Sequence, residues 1–221
     1  MAQYRMFCMK LALCAVFALT AMLPPQIFAQ TEKGIELYNS WEYKEAEKVL
    51  RDALKANPRD VPANFYLGLS ILLQEKYSEA LDLFLKAKDD RGKSTQLTPS
   101  NVPDEFQIQI ALARAHLGLD QFAEAWENLE SAKKLNADAP DVFVYRGVYY
   151  LHREKQQKAV KELEKAIRLD EHNVYAHYYA GHAYLRLGNA ARAVDMFKIF
   201  LNLAPYAPEA PKAKALIDAL C

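Results

Sequence analysis

The sequence predicts an all-α protein built from stacked helix-turn-helix units, and three observations predict it. Residues of matching size recur every 34 positions. Within each period the apolar residues fall at helical spacing, for instance Leu67, Ile71 and then Ala80, Leu81, Phe84 and Leu85. Between the helical stretches lie short segments of turn chemistry. The 221 residues carry 28 basic and 28 acidic side chains, with 52% apolar and 25% charged residues. That profile describes an ordinary folded chain and excludes a disordered, collagen-like or disulfide-dense one. The balanced charge removes the electrostatic reason to expect a nucleic-acid partner.

The first segment is read apart from the fold. Arg5 and Lys10 form a positive head before an apolar run, Leu11 to Leu23, in which Thr20 is the one hydroxyl side chain. Pro24 and Pro25 are expected to break any helix, and Ile27-Phe28-Ala29 ends in a small residue suited to cleavage before Gln30. This is the order of a secretory signal peptide with a core short for a bilayer, so 1–29 is assigned as signal and 30–221 as one exported domain. An uncleaved N-terminal membrane anchor is the rival reading. Cys8 and Cys14 follow Phe7 and Leu13, not the small residue a lipidation box needs. Cleavage leaves Cys221 alone, which excludes an internal disulfide; it is read as an inert terminal thiol, with cross-linking of two copies in an oxidising compartment as the alternative. With no Asn-x-Ser/Thr sequon, the expectation is a periplasmic or secreted bacterial protein.

The repeat columns set the units. Gly34 and Gly68 stand 34 apart, as do Ala113, Gly147 and Gly181. The same step links Ala46 with Ala80, and Ala125 with Ala159 and Ala193. Leu50 and Phe84 match Leu129, Leu163 and Phe197, while Ala53 and Ala87 match Ala132, Ala166 and the larger Phe200. Every column jumps by 45 across the middle, a period plus an 11-residue insertion. Five units follow, at 27–60, 61–94, 106–139, 140–173 and 174–207, with the insertion at 95–105. Small residues mark where two helices approach closely, and such a unit must stack on neighbours to bury its apolar face.

Each unit divides at its turn. Asn39-Ser40-Trp41-Glu42 separates the two helices of unit one, and Asn57-Pro58 closes it. Gln74-Glu75-Lys76, Gly118-Leu119-Asp120 and Gly188-Asn189 divide units two, three and five, and Ala204-Pro205 ends the fifth. The insertion reads as loop chemistry, Thr98-Pro99-Ser100-Asn101 and Val102-Pro103-Asp104, with Asp104 placed to cap the next helix. It serves as a neutral insertion, a contact loop or a hinge. Residues 208–220 form a capping helix with Ala213, Leu216, Ile217 and Leu220 on one stripe and Pro211 in its first turn.

The inter-helix segments Glu-Tyr-Lys-Glu-Ala (42–46), Lys-Tyr-Ser-Glu-Ala (76–80) and Gln-Phe-Ala-Glu-Ala (121–125) resemble those of the tetratricopeptide repeat family. The Gly/Ala columns, Tyr150, Tyr184, Pro58 and Pro205 fit the same pattern, with Gln156, Ala113 and His116 as departures. The resemblance implies a right-handed α-solenoid whose first helices line a concave groove. Carried over position by position, it implies groove contacts from Tyr38, Asn39, Phe65, Leu69, Ile110, Arg114, Val144, Val148, His152, Tyr175, Tyr178, His182 and Arg186. Tyrosine and arginine are apt anchors, joining apolar area to a hydrogen-bonding tip. The family's clamp for a peptide carboxylate is not supported, since Thr31 and Ile35 stand at its first positions.

Catalytic chemistry is not evident. His172, His177 and His182 are spaced by five and cannot share a metal from one helix, so they are read as surface or packing histidines. Glu162 and Glu164 do not share a helical face, and Glu124, Glu127 and Glu130 form a solvated stripe. The basic run Lys86, Lys88, Arg91 and Lys93 is broken by Asp89 and Asp90 and is read as favourable charge at a helix end. No catalytic residue, metal or cofactor is assigned. The expected function is a non-enzymatic scaffold outside the cytoplasm that binds a protein or peptide in its groove. A pilotin-like assembly factor acting with envelope membrane complexes and a self-associating structural protein are the alternatives.

Overall fold

The structure is a computed structural model that describes residues 25–93 and 101–220. Eleven α-helices and no strand occur among them: α1 (Pro25–Asn39), α2 (Tyr43–Ala56), α3 (Val61–Leu72), α4 (Tyr77–Lys93), α5 (Glu105–Gly118), α6 (Phe122–Leu135), α7 (Pro140–His152), α8 (Gln156–Leu169), α9 (Val174–Arg186), α10 (Ala190–Leu203) and α11 (Ala210–Leu220). Residues 1–24, most of the 95–105 insertion and Cys221 lie outside the described residues, so the signal reading finds no test there.

The turns explain why each helix pair folds back. Trp41, Glu75, Asp120, Glu154 and Gly188 all take positive φ, between 53° and 77°. They keep the repeat spacing, and the N–H after each donates to the carbonyl five residues back: Glu42 to Leu37, Lys76 to Ile71, Gln121 to His116, Lys155 to Tyr150 and Asn189 to Tyr184. This is the left-handed helix ending that reverses a chain within two residues. Glycine occupies that position once; the other four side chains carry the strain of a conformation that L-residues disfavour.

The small-residue columns then set how closely the paired helices pack. A Cβ placed on Gly34, Gly68, Gly147 or Gly181 would lie 2.5 to 2.6 Å from Leu50, Phe84, Leu163 or Phe197 respectively. Those four large residues are fully buried, as are the alanines of the next column and Leu129 opposite Ala113. Apolar clusters run on from pair to pair, the first spanning α2 to α5 and so crossing the insertion. The chain re-enters α5 through a capping box: the Asp104 carboxylate accepts from Gln107 N–H at 2.7 Å, and the Gln107 side chain accepts from Asp104 N–H at 2.9 Å. Arg91 and Glu105, 3.5 Å apart, join the two sides of the insertion.

Curvature follows from which helices touch. The first helices contact one another in series, α1 with α3, α3 with α5, α5 with α7 and α7 with α9, α3–α5 being the slightest of these seams. The second helices make no comparable contacts, so the first helices lie on the inside of the bend. At the C-terminal end α11 packs on α10, its Ala213 buried and Leu216, Ile217 and Leu220 against the last cluster. At the other end the described part of α1 runs from Pro25 to Asn39. Thr31 then ties α1 to α3, donating its hydroxyl to the Asp60 carboxylate at 3.0 Å while Asp60 caps α3 by accepting from Ala63 N–H.

Candidate binding groove

The bend brings together side chains that are remote in sequence. Trp41, at the α1–α2 turn, packs against the C-terminal apolar cluster built on Tyr178, Phe197, Phe200 and Ala207. Tyr43 lies near Tyr175 on α9, and the Arg114 guanidinium lies near the Tyr38 hydroxyl. Arg114 also lies over the Tyr145 ring, 5.2 Å from its centroid, an attraction between a cation and the negative ring face. Tyr38 touches Tyr43 and Tyr66 at centroid distances of 5.4 and 5.5 Å, and Tyr179 lies between Tyr175 and Tyr178 at 6.2 and 5.3 Å. Helices α1, α2, α5, α7 and α9 thus line one tyrosine-rich interior.

Its electrostatics are set by enclosure. Burial pushes the hydroxyls of Tyr38, Tyr43, Tyr145, Tyr175, Tyr178 and Tyr179 above the ordinary tyrosine range, so each is a protonated donor at neutral pH. Arg114 is a permanent cation that makes no ion pair among the described residues. Glu209, just before α11, faces the same interior, and burial holds its carboxyl above the usual carboxylate range. The bond from its own backbone N–H, then Arg114 and Lys212, oppose that rise. Its Oε2 is buried without a hydrogen-bond partner. His182 stacks edge-on with Tyr178, 4.7 Å between centroids, and burial, aided by Lys212 and Arg186, pushes it down to about 4.

The expected groove positions separate into three sets. Tyr38, Arg114, Tyr175 and His182 are part-exposed members of the interior. Phe65, Leu69, Ile110, Val144, Val148 and Tyr178 are buried, Val144 wholly. Their correction is physical: the first helices are close enough on the inside of the bend for these side chains to be spent on the neighbouring helix. Asn39 is exposed beside the turn. His152 lies over the Phe122 ring with Nδ1 3.5 Å from Asp120, and Arg186 donates to the Leu151 carbonyl at 2.7 Å, so both work at the seams between pairs. Trp41, Tyr43, Tyr145, Tyr179 and Glu209 were absent from the expected set. Tyr66, Tyr145 and Tyr179 share one repeat column, a signal the sequence does carry; Trp41 and Glu209 have none.

The remaining polar clusters are structural. On the second helices Arg51 bridges Glu47 at 2.7 Å and Glu79 at 2.6 Å, with Gln74 and Lys76 joining at Glu47. Glu164 accepts from Tyr184 and pairs with Arg192, and Glu162 faces Arg146, which lies over Trp126. His177 is buried with Nε2 2.8 Å from the Glu171 carbonyl, and His172 is exposed. Among the described residues no group of acidic, histidine or cysteine side chains is placed to hold a metal ion. No described helix is long and apolar enough to cross a membrane.

Comparison with known proteins agrees with this architecture. Profiles described as tetratricopeptide repeat and TPR repeat match residues 31–95 and 149–188. The crystal structure of TTC0263, a thermophilic TPR protein in Thermus thermophilus, superposes with a TM-score of 0.69 at 18% identity, covering 88% of this chain and 98% of that one. The Cut9-Hcn1 hetero-tetramer of the APC/C superposes at 0.68 with 18% identity, over 92% of this chain and 38% of its own. At these identities the likeness concerns the fold. Tetratricopeptide repeat protein 6 of Homo sapiens is 25% identical over 73% of this chain and 29% of its own length. Mitochondrial import receptor subunit TOM70 of Rattus norvegicus is 29% identical over 48% of this chain and 18% of its own. The chain therefore spans less than a third of the curated relatives it matches.

Proposed function

We propose that this α-solenoid of tetratricopeptide repeats is a non-enzymatic scaffold that holds a peptide or helix of a partner protein on the inside of its bend. Proteins of this repeat type are in general protein-interaction scaffolds, and that general role is the premise. The observation that carries the specific reading is the interior ring of Tyr38, Tyr145, Tyr175 and Tyr179 around Arg114, drawn from four helix pairs. Such a surface offers apolar area, hydroxyl donors and one fixed cation, the composition of a protein-binding hot spot. The N-terminal pattern from Arg5 to Ala29 supports placing that work outside the cytoplasm, in a bacterial envelope.

The test is to select binding peptides from a random twelve-residue library (at most about 40 Å of extended chain) and map them by amide hydrogen exchange. Added protection is expected in α1, α5, α7 and α9, and affinity should fall at least tenfold in an Arg114→Gln, Tyr175→Ala variant. Protection confined to α4, α6 and α8 would place the binding surface on the outside of the bend and refute the reading. End-to-end self-assembly is less favoured, because Leu216, Ile217 and Leu220 are already packed on the chain's own last cluster.

A further inference from the structure

We propose that the α1–α2 turn is a clasp that closes the groove in the free protein, and that a partner enters by displacing it. The inference rests on the groove reading above. The occupant of the groove is then a segment of this chain, Tyr38 to Tyr43, reaching from the first helix pair to the last.

Three observations carry it. Trp41 contributes to the C-terminal cluster with Tyr178 and Phe200, although its backbone belongs to the first turn. Tyr38 and Tyr43 flank it and lie near Arg114 and Tyr175, so the turn faces the third and fifth pairs at once. No extended helix-to-helix seam accompanies these contacts, since the helix packing of α1 and α2 is with each other and with α3. The closure is therefore made by a few side chains at the tip of one turn.

That composition makes it the seam most easily opened. Between consecutive pairs the seams run through buried apolar clusters, the first of them including Leu67, Ile71, Ile108 and Leu112. Across the groove, Trp41, Tyr38 and Tyr43 remain part-exposed. Glu209 is enclosed there with Oε2 unpartnered, and Arg114, whose charge reaches Glu209, forms no ion pair among the described residues. A buried polar atom left without a hydrogen bond disfavours the closed arrangement, and opening or a partner's polar group relieves it. The first pair is also an end pair among the described helices, so it swings by loosening its contacts with α3 and the Arg51–Glu79 bridge to α4. A partner segment that seats an apolar or aromatic residue where Trp41 sits, and a donor beside Glu209, replaces the Trp41 contact and satisfies the unpartnered oxygen.

Two measurements test this on the full-length chain. The protein has two tryptophans, so Trp126→Phe leaves Trp41 as the single reporter. Acrylamide should quench Trp41 weakly in this background and at least twofold more strongly after Tyr175→Ala, a change made on the other side of the groove. Quenching that ignores Tyr175→Ala overturns the closure. Second, library peptides selected on a Trp41→Ser, Tyr43→Ser variant should bind it roughly tenfold or more tightly than the wild type, because the closed population no longer taxes binding. Trp41→Ser alone, a milder change, should move affinity in the same direction, and circular dichroism at 222 nm should show unchanged helix content in all three. Equal affinity for open and wild-type chains, with protection still mapped to α5, α7 and α9, overturns the clasp and leaves the groove reading standing. Peptides mapping to the outer helices, or none selected at all, overturn both.

Discussion

The close approach of Gly147 to Leu163 yields a prediction whose sign depends on its partner. A Cβ on Gly147 would stand 2.5 Å from Leu163 Cγ, 2.9 Å from Cδ2 and 3.1 Å from Cδ1, and all three atoms belong to that one side chain. Leu163 is fully buried and has nowhere to retreat. In the wild type, Gly147→Ala therefore gains about 1 kcal/mol of helix propensity but meets overpacking of about 1–3 kcal/mol. The net is a loss near 1 kcal/mol. Leu163→Ala alone should cost about 3–4 kcal/mol, since a glycine opposite supplies no atom to fill the void. In that background Gly147→Ala loses its clash, keeps the propensity and buries a methyl worth about 0.8 kcal/mol. It should then stabilise by about 1.5–2 kcal/mol, a coupling of about 2–3 kcal/mol between the two sites. Urea unfolding followed at 222 nm on the four proteins measures this directly. Equal effects of Gly147→Ala in both backgrounds would refute the packing account of the glycine column.

Further predictions concern the turns, the insertion and the groove histidine. Glu154→Gly should raise stability by up to about 1 kcal/mol by relieving a positive φ, whereas Gly188→Ala, which meets open space, should lose about 1 kcal/mol from backbone strain alone; urea midpoints report both. Asp104→Ala should cost about 1 kcal/mol by removing the cap of α5, seen as a lower thermal midpoint. His182 is held neutral, so its full contribution is present above the unfolded value near 6.5 and is lost as pH falls toward about 4. Across that window the unfolded chain takes up a proton that the folded chain refuses, and stability should fall by about 2–3 kcal/mol. The difference between wild type and His182→Gln, measured by urea unfolding at pH 7 and pH 4.5, isolates that share from the other titrating groups.

Local repeat physics was legible in the sequence, and long-range curvature was not. The columns through Gly147, Ala159, Leu163 and Ala166 announce two helices in tight contact, because each column has one steric task repeated in every unit. The positive-φ position was legible only at Gly188; Trp41, Glu75, Asp120 and Glu154 disguise it, and their shared register reveals it once the backbone is seen. The groove was half legible. Arg114 and Tyr175, expected at the groove, are part-exposed on the inside of the bend, while Phe65, Leu69, Val148 and Tyr178 are buried. Whether an inward residue is free or spent depends on how far successive pairs rotate, and no single column encodes that rotation. The meeting of Trp41 with Tyr178 is its accumulated result over five pairs, and Glu209 enters only because α11 folds back on α10.

The binding surface itself is tested most directly by photo-crosslinking in living cells. A benzoylphenylalanine replaces Tyr175, which faces the groove, or Lys161, exposed on α8, in the full-length protein. The account predicts a discrete protein adduct from position 175, lost when Arg114→Gln is added, and none from 161. Adducts from position 161 alone would contradict it and move the interaction to the outer face of the solenoid.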